Sequence, residues 1–296
     1  MTPDIKHSQP ACAHVNGIEL CYDTFGDPHA PPILLIAGMG NQMVEWDAAL
    51  CAAFAARGYW VIRYDQRDVG KSSKVTLPGA LDQQPYTFLD MANDAIGLLD
   101  TLDIRRAHVI GISMGGCLVQ LMAIHYPERL RSMTSIQSFA KGIDLTGPRL
   151  QGFPVQMPES TQHDAFIREY IDWEQYIGGE RYKRDGAYLT AMGEVILARG
   201  LTVEGRIGHA AAMVVTPDWY ADLARVKTPS LVIHGDADPL VPVALGIATA
   251  KAIPGSKLML IEGWGHGFPA PALWPRIIDA FDQHAHASAA HQPAEI

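Results

Sequence analysis

The chain has 296 residues, 48% of them hydrophobic, and a formal net charge of -9. That is ample material for a large packed core, and length alone leaves one or two domains open. No cluster of lysines or arginines interrupts the acidic balance, which disfavours nucleic acid as a partner because phosphate binding needs a concentrated basic patch.

Short apolar runs alternate with amphipathic stretches, the pattern of an α/β sheet protein. Val15-Asn16-Gly17-Ile18 places Asn-Gly between two β-prone segments and predicts a hairpin. Ile33 to Ile36 reads as a buried strand that breaks into Ala37-Gly38-Met39-Gly40. Met43 to Arg57 reads as one helix ended by Gly58, Trp60 to Tyr64 as the next strand, and Phe88 to Leu102 as a helix with apolar residues at helical spacing. A strand over Ala107 to Ile112 runs straight into a helix that continues through His125 and stops before Pro127, and Ser132 to Gln137 is a further strand. Between about Ala140 and Ala221 the alternation fails. Phe153, Phe166, Tyr170, Trp173, Tyr176 and Tyr182 fall here among helix-like runs with no strong strand. The expectation is a helical cap insertion at 140–221 in a single sheet domain made of 1–139 and 222–296. Ser230 to His234 and Lys257 to Ile261 are strands flanking a helix near Ala244 to Ala252. Pro271 to His284 makes the last helix, and Ala285 to Ile296 is expected to fray.

Four cysteines (Cys12, Cys21, Cys51 and Cys117) form no C-x-x-C and have no histidines at ligand spacing. Scattered thiols in a chain this long point to a reduced, cytoplasmic protein. The first residues carry no apolar h-region and no apolar stretch is long enough to span a bilayer, so no membrane partner is expected.

Gly111-Ile112-Ser113-Met114-Gly115 matches G-x-S-x-G, with a strand running in and a helix running out. A nucleophile on such a turn holds a strained backbone, so the residues two positions away must be small, and Gly111 and Gly115 are. Ser113 is therefore the expected nucleophile. A neutral serine needs a base to take its proton. Of twelve histidines, His284, His286 and His291 lie in the tail, whereas His266 lies just after the last predicted strand, in Gly263-Trp264-Gly265-His266-Gly267, which puts it on the carboxyl edge of a parallel sheet with Ser113. His108 lies within the strand feeding the turn, where a packing role is expected. The acid belongs between serine and histidine in chain order. His234-Gly235-Asp236-Ala237-Asp238-Pro239 offers two carboxylates. Asp238, just before Pro239, fits the position that turns back to the histidine, and Asp236 fits a local brace of the turn; Asp144 is a remote third choice. The oxyanion needs two backbone N–H donors. Placement points to Met114, directly after the nucleophile, and Met39, in the loop after the earlier strand.

Gly70-Lys71-Ser72 fails as a phosphate loop, because the glycine required five residues earlier is Asp65. No His, Cys and carboxylate set has metal-site spacing, and His284-Ala285-His286 is read as solvated tail.

Taken together, Tyr22 to Pro28, Arg63 to Ser72, Gly111 to Gly116, Tyr126-Pro127-Glu128-Arg129, His234 to Pro242 and Gly263 to Gly267 make the chain resemble the α/β-hydrolase superfamily over nearly its whole length. The Arg63 to Ser72 stretch and Gly265-His266-Gly267-Phe268-Pro269 look most like the esterase branch that includes the aclacinomycin methylesterases. That resemblance implies an eight-stranded, mostly parallel sheet, a helical cap over the site, and no cofactor. It also implies Ser113, Asp238 and His266 as triad, with Met39 and Met114 at the oxyanion positions. There are departures: Ala37 stands where much of the superfamily has histidine, and Gln66 and Asp68 sit in a loop that often reads Asp-x-Arg-Gly.

The expected reaction is hydrolysis of a small to medium, mostly apolar ester through an acyl-enzyme. Phe166, Tyr170 and Trp173, with Phe153 and Tyr176, are candidates for the apolar pocket. The same triad also serves C–C bond hydrolases, lactonases and cofactor-free perhydrolases, and a hydrolase-fold small-molecule sensor would keep it too. Dehalogenases and epoxide hydrolases of this fold carry aspartate where Ser113 stands.

Overall fold

Asn16 and Gly17 take φ angles of 50° and 81°, the double left-handed turn that an Asn-Gly pair tolerates best. The chain therefore folds β1 (Ala11–Val15) directly back on β2 (Ile18–Phe25). The computed structural model describes residues 5–76, 86–143, 157–201 and 203–289. Six further strands follow: β3 (Pro32–Ile36), β4 (Trp60–Tyr64), β5 (Ala107–Ile112), β6 (Leu130–Ile136), β7 (Ser230–Gly235) and β8 (Lys257–Ile261). They form one eight-stranded sheet in the order β1-β2-β4-β3-β5-β6-β7-β8. β1 and β2 are antiparallel to their neighbours, and every pairing from β4 to β8 is parallel.

Every residue of β3 and β5 is buried, as expected of parallel strands covered on both faces. Alternate side chains enter opposite cores. Ala107 and Val109 pack with α2 (Phe88–Thr101) and α3 (Met114–His125), through Leu98, Leu99, Leu118 and Met122. Ile110 and Ile112 face the other core, with Phe54 of α1 (Ala48–Ala55) and Ile277 and Phe281 of α8 (Trp274–Ala289). Among the described residues, three α-helices, α4 (His163–Ile177), α5 (Gly186–Arg199) and α6 (Val203–Val215), lie between β6 and β7, and α7 (Val243–Ala252) links β7 to β8. Phe166 and Tyr170 of α4 pack on Leu189 and Ile196 of α5 in a small core of their own.

The parallel register aligns Ile36 with Gly111, Ile112 with Ile136, Ile136 with Ile233 and Gly235 with Ile261. The loops that leave β3, β5, β6, β7 and β8 consequently emerge side by side. The chain also switches direction at β3, whose neighbours are β4 and β5, and such a switch opens a crevice at the carboxyl edge.

Two helices differ from their expected form. Met43 to Arg57 is not one helix: a 3-10 turn covers Met43–Glu45 and α1 starts only at Ala48. Asp47 interrupts it by acting as N-cap, its carboxylate accepting the Ala49 N–H at 2.7 Å. The last helix does not fray at Ala285. Small residues continue its buried face through Ala285 and Ser288, and the Ser288 hydroxyl donates to the His284 carbonyl at 2.7 Å. Asp144, Phe153 and residues 290–296 lie outside the described residues. No helix among the described residues is long and apolar enough to cross a membrane.

Candidate active site

Ser113 sits between β5 and α3 at φ 53° and ψ -120°, a region that non-glycine residues occupy at a cost of about 1–3 kcal/mol. The surrounding glycines make that geometry possible. A Cβ on Gly111 would collide with the Gly115 carbonyl, and one on Gly115 with the carbonyl of Ile36 at the end of β3. The Ser113 side chain makes no capping bond to α3, so it is not spent on the helix it precedes. Instead Ser113 lines a cavity.

His266 lines the same cavity. Its Nδ1 lies 2.7 Å from Asp238 Oδ2, in a pair where both side chains are buried. The other Asp238 oxygen accepts the N–H groups of Leu240 at 2.9 Å and Val241 at 2.8 Å. Burial alone would raise the Asp238 pKa, but the His266 charge and the bonds from His234, His266 and Val241 hold it far below the usual carboxylate range. Asp238 is thus an ionised acceptor for the N–H at His266 Nδ1 and sets the orientation of the ring. Asp236 points elsewhere, accepting the Gly263 N–H at 2.6 Å; it braces a loop 27 residues on, not its own turn. His108 is buried against Ser132 Oγ at 2.7 Å, and burial drives its pKa down to about 3.

The loop after β3 passes so near that a Cβ on Gly38 would stand 3.4 Å from that of Ser113. The Gly40 N–H donates to His209 Nδ1 at 3.1 Å and that of Asn41 to the Gly38 carbonyl at 3.3 Å. Neither is left for a developing oxyanion. Met39 and Met114 both line the cavity, Met114 at the first position of α3, where helix N–H groups lack intrahelical partners.

The loop after β4 supports this one. Gln66 Nε2 donates to the Ala37 carbonyl at 3.0 Å, so a glutamine amide braces the strand end where Ala37 offers no side-chain donor. Asp65 accepts the N–H groups of Met43 and Lys71, each at 2.8 Å, and pairs with Arg199 of α5. Arg67 pairs with Asp94 of α2 at 2.7 Å, and Asp68 accepts from Tyr86 at 2.6 Å. Gly70-Lys71-Ser72 therefore wraps the Asp65 carboxylate, and a Cβ on Gly70 would strike it.

The cavity measures about 220 Å³. Phe166, Tyr170 and Trp173, with Ile177, occupy one face of α4 and form one wall. Tyr176 and Tyr182 are not among the lining residues; Tyr182 borders a smaller pocket with Trp264, His266 and Phe268. Two acids also face the space. Burial, then the Glu174 charge, push the Glu45 pKa up to about 8, although the Gln42 N–H and Asn41 bond it. Glu174 is raised by burial against the pull of Arg184, 3.0 Å away.

Several residues that build the site carry no motif. Gln137, at φ 48° just past β6, brackets His266: its amide donates to the Gly265 carbonyl and accepts the Gly267 N–H at 2.9 Å. The end of α4 holds the same loop, with the Ile177 carbonyl accepting the His266 N–H at 2.6 Å and that of Gly178 the Gly265 N–H at 3.1 Å. Gln137 closes the strand expected from Ser132, one residue past the end of β6, and neither it nor His209 carries a sequence signal for this role. Among the described residues, no group of three or more His, Cys, Asp or Glu side chains is arranged to hold a metal ion.

The chain belongs to the alpha/beta hydrolase fold family, whose profile matches residues 31–269. It is similar to the rhodomycin D methylesterase DauP of Streptomyces sp. (strain C5), 32% identical over 273 residues that cover 85% of this chain and 90% of that protein. The rhodomycin D methylesterase DnrP of Streptomyces peucetius is 31% identical over the same shares. Among solved structures, the enol-lactonase from Burkholderia xenovorans LB400 superposes with a TM-score of 0.71 at 26% identity, covering 95% of this chain and all of that one.

Proposed function

We propose that the protein hydrolyses a carboxylic ester of a small to medium, mostly apolar molecule through an acyl-enzyme, with Ser113 as nucleophile, His266 as base and Asp238 holding the base. The protein is an ester-cleaving hydrolase; the residue roles and the substrate are the proposal. The observation that carries it is the buried 2.7 Å Asp238–His266 pair on the wall of a cavity that also contains the strained Ser113.

In the reaction, Ser113 Oγ attacks the ester carbonyl carbon and its proton passes to His266 Nε2. Asp238 stabilises the imidazolium from the Nδ1 side. The negative oxygen of the tetrahedral intermediate accepts from the Met39 and Met114 N–H groups. Collapse breaks the bond to the alcohol oxygen, which leaves with the proton from His266. Water then attacks the acyl-enzyme by the same route, freeing the acid and Ser113. The segment 140–221 acts as the cap, with Phe166, Tyr170 and Trp173 contacting substrate. The names of the two methylesterases support a methyl ester, whose methanol leaving group needs little room, so the apolar wall of α4 would hold the acyl part. The free thiols of Cys12, Cys21, Cys51 and Cys117 support a reducing, cytoplasmic setting.

Hydrolysis of p-nitrophenyl and methyl esters of graded acyl size, with wild type against Ser113→Ala, tests this. Many turnovers by wild type and a loss of about a thousandfold or more in the mutant are expected. Equal inertness of both proteins across the series would overturn the ester reading and bring C–C substrates or a sensor role forward.

A further inference from the structure

The oxyanion loop is held from two sides, and one of them is not part of the sheet. His209 lies on α6, fully buried, 169 residues from the Gly40 it touches. Its two ring nitrogens are both engaged, at 3.1 Å from the Gly40 backbone nitrogen and 2.8 Å from the Arg67 carbonyl oxygen. These partners dictate its tautomer. An N–H can only donate, so Nδ1 carries the lone pair; a carbonyl can only accept, so Nε2 carries the proton. Burial pushes its pKa down to about 4, assisted by the Arg67 charge and opposed by the Arg67 carbonyl bond and Asp68. The ring therefore stays a neutral acceptor at ordinary pH.

We propose that His209 is a positioning residue for the oxyanion hole: by accepting the Gly40 N–H it fixes the turn that aims the Met39 N–H at the reacting carbonyl. The inference rests on the reading of Met39 as an oxyanion donor. Gly40 is in the left-handed region, at φ 71°, and a Cβ there would stand 3.1 Å from Arg206 Cβ on the same helix. α6 is thus packed directly on the turn, and His209 supplies its directional bond. The Gly40 amide shares a peptide plane with the Met39 carbonyl, so fixing that plane leaves only the two Met39 dihedrals between it and the Met39 N–H. Oxyanion donors act through preorganisation, and a donor free to swing loses most of its effect on the transition state while ground-state binding is little changed. Through His209 the loop after β4, the loop after β3 and α6 become one assembly. The hole is complete only when α6 is seated.

Asparagine and glutamine separate the two bonds of the ring. The amide oxygen of His209→Asn stands near the place of Nδ1 and keeps the Gly40 acceptor. The longer His209→Gln places its amide near Nε2, keeping the Arg67 bond and losing the Gly40 acceptor. Both are assayed on the best ester with active sites counted by fluorophosphonate labelling of Ser113, beside Met39→Pro, which removes the Met39 N–H. The expectation for His209→Gln is a kcat lower by roughly ten- to a hundredfold with KM within about twofold, since removing an oxyanion donor outright costs about 100- to 1000-fold. His209→Asn is expected within about threefold of wild type. Equal kcat loss in both variants, or wild-type kcat in His209→Gln, overturns the positioning role and leaves His209 a packing residue. An active wild type whose rate survives Met39→Pro overturns the oxyanion reading itself, a result independent of how the His209 variants rank.

Discussion

Ser113, Asp238 and Glu45 each hold a state that their residue type resists, and each is held by neighbours rather than by its own chemistry. Asp238 stays ionised in a buried position because two backbone N–H groups and two histidines surround it. Replacing it by asparagine keeps the shape but lets His266 settle in the wrong tautomer. The expected loss in kcat for Asp238→Asn is about ten-thousandfold, measured on any good ester, together with a lower Tm at pH 7, because a carboxylate whose folded pKa is depressed stabilises the fold above its unfolded pKa. Glu45 is the opposite case. Its folded pKa of about 8 lies above the ordinary glutamate value of 4.5, so the folded chain keeps a proton that the unfolded chain gives up between those limits. The stabilisation is full below pH 4.5 and is lost as pH rises through about 8. Glu45→Gln removes the titrating group and can keep an acceptor for the Gln42 N–H and Asn41. Its Tm is expected to fall less between pH 5 and pH 8 than that of wild type; parallel Tm curves would mean that Glu45 is already ionised in the fold.

At the scale of elements, the histidine loop is shaped by partners distant in sequence. Gln137 holds it from β6 and the last carbonyls of α4 hold it from above. Gln137→Leu keeps the volume and removes both bonds, leaving His266 free to drift by the order of an ångström. A kcat loss of about a hundredfold is the size such a displacement produces; an unchanged kcat would show that Asp238 alone is enough to orient the ring. These ties also explain what was and was not legible in the sequence. The elbow at Ser113, the Asn16-Gly17 hairpin and the strand bounds at Trp60–Tyr64 and Ala107–Ile112 depend on local rules, and they can be read residue by residue. Asp47 breaking the helix expected from Met43 was readable as an N-cap, but an apolar run hid it. Gln137 and His209 act across 128 or more residues, through single bonds that leave no spacing pattern. The apolar stripe of Phe166, Tyr170, Trp173 and Ile177 has helical period, yet periodicity cannot tell a cavity wall from a core.

Across the whole molecule, stability comes from cores on both faces of the sheet, while the candidate site lies at its carboxyl edge. Phe281 is fully buried beneath it, edge-on to Phe54 at 5.4 Å and Tyr59 at 5.3 Å. Phe281→Ala is expected to cost about 3–5 kcal/mol of unfolding free energy, seen as a lower denaturation midpoint, while kcat per folded molecule at low temperature stays near wild type. A matching fall in kcat would mean that the core transmits strain to the carboxyl edge. α4 and α5, by contrast, share the small core of Phe166, Tyr170, Leu189 and Ile196, whereas Ala212 of α6 joins the main core, and segments with so little apolar burial open locally before the rest.

The end of α4 then has a meaning for how this molecule fails. A helix terminus leaves carbonyls in want of donors, and those of Ile177 and Gly178 find them in the backbone of His266 and Gly265. The reactive loop is in effect the plug of that helix. When heat or denaturant melts the helix, the plug is released and His266, the proposed base, loses its aim while the strands below remain paired. Activity should vanish ahead of the far-UV signal, and a half-opened molecule is silent, not an indiscriminate hydrolase with its nucleophile exposed to every ester in reach.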